Sequence, residues 1–170
     1  PDCANHTYLH YAYDPISRRL ICPSLAGTGV FDPDTGDFEF TVSQPFNRKI
    51  YETCATGTSK GVVLWTESGR MVVFDYKARA WKDFPLTGKP PRPVTDGSTM
   101  CYDSKRDALW IASFLDYQKA SGNIWRCDLK TGAIAEMNPV NAKTLGVAKG
   151  FHSEIRESVY IPTADFVLFN

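Results

Sequence analysis

No apolar run in this sequence passes five residues, far short of the roughly twenty a helix needs to span a bilayer. Neither sign of charge is in surplus. Lys plus Arg and Asp plus Glu each number 19, so the basic footprint of a nucleic-acid binder is missing. Nucleic acid and a membrane span are therefore not expected as partners. The five cysteines, Cys3, Cys22, Cys54, Cys101 and Cys127, include no CxxC pair. Their odd number argues against a complete disulfide framework, and their spacing against local zinc chemistry. His6, His10 and His152 are too scattered to build a zinc site locally. No HExxH, GxSxG, P-loop or GxGxxG run occurs, which leaves zinc-protease, hydrolase-elbow and nucleotide readings without a motif. The first residues, Pro1 to His6, carry neither an initiator Met nor a charged-then-apolar leader, as expected of a chain processed or cut from something longer. The expectation for localisation leans to the outside of the cytoplasm.

What the sequence does contain is a repeat. Three segments align without gaps: VFDPDTGDF (Val30 to Phe38), VFDYKARAW (Val73 to Trp81) and RCDLKTGAI (Arg126 to Ile134). Each places an apolar residue or Cys before an Asp and a large apolar residue six positions after it: Asp32 to Phe38, Asp75 to Trp81, Asp128 to Ile134. An Asp opening a turn accepts hydrogen bonds from backbone N–H groups just downstream, and the glycines Gly36 and Gly132 suit the left-handed conformation of a tight hairpin. A second motif precedes the first. AYDPISRRLICPS (Ala12 to Ser24) matches CYDSKRDALWIAS (Cys101 to Ser113) and VYIPTADFVLFN (Val159 to Asn170), and ATGTSKGVVLWTE (Ala55 to Glu67) more loosely. Each motif reads as strand, short turn, strand, so one unit is four strands.

The strands Gly61 to Trp65, Met71 to Phe74 and Phe166 to Phe169 are continuously apolar instead of alternating, which predicts sheets covered on both faces. Four-stranded antiparallel units of this period, each between like neighbours, describe the blades of a β-propeller. The expected fold is therefore all-β, a partial propeller in one domain spanning 1–170. Its blades cover residues 7–45, 50–84 and 98–137, with a half blade at 151–170. The run from Phe74 to Arg92 resembles a kelch repeat: Phe74-Asp75, then Trp81, then Pro85, and Arg92 after Pro90-Pro91. The resemblance reaches all three complete units through the Asp spacing and implies kelch-like propeller blades. About three and a half blades leave edges open, so the expectation is closure by remaining blades of the same protein or by another chain.

In such a blade the tight turns share one end and the long loops the other. The long segments Ser43 to Lys49, Pro85 to Gly97, Leu115 to Ser121 and Asn138 to Gly150 fall on the second end, where binding residues concentrate. Glu52, Asp96 and Glu154 stand where first strands begin and are a candidate calcium set; solvated carboxylates or loop caps have the same appearance. His152 and Arg156 share a face with Glu154 by alternation, an arrangement suited to a sugar or carboxylate. Arg92, Asp96 and Tyr117 complete the candidate ligand set. No cofactor is evident beyond that calcium. The function expected is a non-catalytic binding or scaffold module for a protein or glycan partner. The alternative is a fragment of a propeller enzyme, a carbohydrate-active hydrolase or an oxidoreductase, with other site residues in the missing blades.

Overall fold

The computed structural model describes residues 11–45, 53–66, 68–90, 99–113, 123–137 and 158–169. Among these residues the chain is all-β, with fifteen strands and no helix. The first sheet holds β1 (Ala12–Asp14), β2 (Arg19–Ser24), β3 (Gly27–Phe31) and β4 (Phe38–Thr41) in sequence order. The second holds β5 (Cys54–Thr58), β6 (Gly61–Trp65), β7 (Met71–Asp75) and β8 (Ala80–Asp83) in the same order. The third is built from β10 (Thr99–Asp103), β11 (Ala108–Ser113), β12 (Asn123–Asp128) and β13 (Ala133–Met137). A final hairpin pairs β14 (Ser158–Ile161) with β15 (Phe166–Phe169). All pairings between consecutive strands are antiparallel.

The Asp-centred spacing has a direct physical cause in the register. The residue before each Asp pairs with the large apolar residue six positions after it: Phe31 with Phe38, Phe74 with Trp81, Cys127 with Ile134. The Asp carboxylate holds the turn between them, accepting from Asp34 N in the first sheet, Ala78 N in the second and both Lys130 N and Thr131 N in the third. Four residues past each Asp the backbone turns left-handed, at Gly36 (φ 80°), Arg79 (φ 54°) and Gly132 (φ 72°). The other motif repeats in the same way: Arg18, Asp107 and Asp165 occupy one aligned position, with φ of 57°, 49° and 55°. Asp and Asn tolerate this region better than most L-residues. That makes the aligned Asp residues intelligible, while Arg18 and Arg79 are held there by their hairpins.

Successive sheets pack face against face. Ala12, Ile21 and Val30 of the first meet Val62 and Phe74 of the second. The opposite face of the second sheet, with Val63, Trp65 and Met71, meets Leu109, Ile111, Trp125 and Cys127 of the third. β6 is accordingly buried at every residue, as its unbroken apolar run predicts. The initial strands lie side by side in chain order, β1 against β5, β5 against β10, and β10 against β14. Among the described residues no sheet closes on itself.

Two features differ from the sequence reading. Phe166 and Leu168, expected to be covered on both sides, are 47% and 48% exposed, because no described element lies on that face of β15. The segment after β8, read as loop throughout, contains β9 (Thr87–Gly88), which runs parallel to Ala133 and Ile134 and gives the third sheet a fifth strand. Among the tryptophans, Trp65 and Trp125 are buried, whereas Trp81 and Trp110 are half-buried and use their indole N–H groups.

Candidate functional site

The turns joining the first two strands of each unit and those joining the last two lie at one end of their sheets. Arg18 bonds Asp34 at 2.8 Å across two such turns of the first sheet, and Leu129 N donates to Asp107 O across two turns of the third. At this end polar side chains fasten each sheet to the next. Ser59 Oγ of the second sheet donates to Asp107 Oδ1 of the third at 2.5 Å, and Tyr102 donates to the same oxygen at 2.9 Å. One unit later the pattern returns, with Tyr160 donating to Asp165 at 2.9 Å. Here Lys105 and Arg106 of the third sheet reach across to Asp165 at 2.6 and 2.7 Å.

Arg106 also pairs with Asp103, a fully buried carboxylate. Asp103 is satisfied from four directions: the backbone N–H groups of Lys105 and Arg106, the Arg106 guanidinium and Trp110 Nε1. Burial pushes the Asp103 carboxyl up, but Arg106, Trp110 and the turn amides outweigh it and leave the group below the usual carboxylate range. Arg106, Lys105 and Tyr160 hold Asp165 far lower still, and Asp165 and Asp103 in return raise the Arg106 guanidinium. Burial and the adjoining Asp165 carboxylate push the Tyr160 phenol up. Asp103, Asp165, Arg106 and Tyr160 are each driven further from neutral pH, the opposite of what a general acid or base near pH 7 requires. The cluster acts as an electrostatic clasp, two cations against two carboxylates.

Above this clasp, between the third sheet and the β14–β15 hairpin, opens a groove of about 500 Å3. Its polar floor is Asp103, Arg106 and Asp165; Trp110, Ile124 and Met137 form one wall, Val167 and Phe169 the other. The volume suits either a small ligand or several apolar side chains. Among the described residues no group of three or more His, Cys, Asp and Glu is arranged to hold a metal ion.

The candidate residues named from sequence, Glu52, Arg92, Asp96, Tyr117, His152, Glu154 and Arg156, all lie outside the described residues. The proposed calcium set and the His-Glu-Arg face therefore lie there too. Sequence reasoning missed the clasp. Its signal was a Tyr followed five positions later by an Asp, in Tyr102–Asp107 and Tyr160–Asp165 alike, within two segments that align with each other. Set against known proteins, the chain matches no family model and no curated sequence.

Proposed function

We propose that the sheets are kelch-like propeller blades and that the chain is a non-catalytic binding or scaffold module whose long-loop end meets a protein or glycan partner. The observation that carries this reading is the neighbour order β1, β5, β10, β14: each unit adds its first strand beside that of the unit before. Radial stacking produces such an order, and the strands that flank the long connections run to the end opposite the clasped turns. A rigid scaffold under variable loops is a common basis for recognition.

The test is a panel of glycans and peptides screened against the wild-type chain, a loop-end variant (Arg92→Ala with Tyr117→Ala) and a turn-end variant (Arg18→Ala with Lys77→Ala). Ligands retained by the turn-end variant and lost by the loop-end variant are expected. Loss in the turn-end variant alone would overturn the choice of end, and a panel without any binder would sink the module reading.

A further inference from the structure

The junctions between neighbouring units are not alike. Between the first and second sheets, Ala12, Ile21 and Val30 meet Val62 and Phe74, all buried. Between the second and third, Val63, Trp65 and Met71 meet Leu109, Ile111 and Cys127, again all buried. The β14–β15 hairpin is attached to the third sheet in another way. Of its residues 158–169, Tyr160 alone is buried. Polar ties stand at its two ends. Ser158 Oγ and Thr99 Oγ1 share a hydrogen bond of 2.9 Å where β14 and β10 begin. In the turn, Asp165 accepts from both arms of the Arg106 guanidinium, at 2.7 and 3.0 Å, and from Lys105 Nζ at 2.6 Å. Water reaches these charges: the side chains of Lys105, Arg106 and Asp165 are 60%, 40% and 32% exposed.

We propose that this hairpin is a detachable element docked by charge. It releases the third sheet as a unit while the three four-stranded sheets stay packed, and ionic strength sets how often it does so. Segments with few buried apolar contacts open at lower cost than the fold as a whole. Exposed ion pairs weaken as the screening length falls from about 30 Å at 0.01 M salt to about 3 Å at 1 M. Salt therefore acts on this junction and spares the other two, where apolar side chains make the contact. The polar tie between the second and third sheets, Ser59 to Asp107, joins a neutral hydroxyl to a carboxylate and pairs no opposite charges. Release also leaves no buried charge stranded. Asp103, fully buried, keeps Arg106, Trp110 Nε1 and the amides of its own turn when Asp165 departs. Once detached, β14 and β15 have only each other, and an isolated two-stranded hairpin is marginal in water. Its amides then exchange with solvent. The inference stands whatever the module binds.

Native-state hydrogen exchange of the whole 170-residue chain, read by mass spectrometry of its peptides, tests this at about 0.01 M and about 1 M NaCl. Peptides covering 158–169 should exchange about threefold or more faster at the higher salt, while those covering β6, β7, β11 and β12 keep their rates. Asp165→Asn should exchange rapidly in the hairpin at both salts and lose the salt response. Asn accepts the left-handed backbone at that position, φ 55°, so the turn itself persists. The wild-type comparison stands without the variant. Equal rates in the hairpin and in β11–β12 at both salts would overturn the proposal. So would an acceleration shared by every sheet, or a salt response that survives in Asp165→Asn.

Discussion

Gly57→Ala is the substitution that most directly tests how the first two sheets meet. Gly57 lies in β5, and a Cβ built on it would stand 2.0 Å from Tyr13 O of β1 and 3.2 Å from Pro15 Cδ. Carbon and oxygen approach no closer than about 3.3 Å without repulsion. The two strands must therefore part by about 1.3 Å, or β5 must rotate out of its pairing with β6. A gap of about 1 Å forfeits up to half of the dispersion energy of the atoms facing it. Those atoms include Ala12, Ile21 and Val30 against Val62 and Phe74. Overpacking of this kind costs about 1–3 kcal/mol, and a rigid backbone obstacle puts the value at the upper end, about 3 kcal/mol. For a chain of this size that lowers the melting temperature by about 6–12 °C. Gly36→Ala supplies the control. Gly36 has φ +80° with nothing within 4 Å of the place a Cβ would take, so it isolates backbone strain, worth about 1–2 kcal/mol. Circular dichroism melts of the three proteins decide the matter. A Gly57→Ala protein melting within about 2 °C of wild type would mean that β1 and β5 do not approach as described.

Three further outcomes follow from the packing. Trp81 Nε1 donates to Thr28 Oγ1 at 2.7 Å across the sheet interface, and the ring lies 5.1 Å from that of Phe74. Trp81→Phe should cost about 1 kcal/mol and Trp81→Ala about 2–3 kcal/mol in urea unfolding, and a Trp81→Phe protein as stable as wild type would deny the hydrogen bond a role. Asp165 has a folded-state pKa below its unfolded value, so its contribution is complete above about pH 4 and fades as pH falls toward the depressed value. Asp165→Asn should flatten the decline of melting temperature as pH falls from about 4 to about 2; an unchanged slope would show the clasp to be irrelevant to acid stability. Burial pushes the Cys54 thiol up to about 12 and those of Cys101 and Cys127 up to about 11. Near pH 8 iodoacetamide should spare all three in the native protein and label them in guanidinium, as peptide mapping by mass spectrometry would reveal.

The hairpins were legible because each is specified locally. An Asp, a left-handed residue four positions on and an apolar pair closing the ladder lie within nine residues, and no distant part of the chain is needed to read them. The all-β class and the four-stranded sheets followed from that. β9 was not legible: Thr87 and Gly88 have no strand pattern and become a strand only because the edge of β13 lies beside them. The clasp was half legible, since its Tyr and Asp recur at fixed spacing, but the partners Lys105 and Arg106 come from the neighbouring sheet. Glycines in β3 conceal a further tertiary effect. Phe38 and Phe40 lie diagonally over Gly29 and Gly27, filling space that a side chain there would claim. Alternation alone could not distinguish those rings from ordinary exposed aromatics.

The two residues of β9 alter how the chain responds to proteases. A Pro-rich connector leaving a sheet is ordinarily where cleavage begins, because a protease needs an extended stretch free of other bonds. Here Gly88 and Gly132 bring two backbones so close that a Cβ on either would collide with the opposite carbonyl, Ile134 O at 2.3 Å or Pro85 O at 2.1 Å. Cleavage within Pro85 to Gly88 therefore has to wait until the rim of the third sheet peels open.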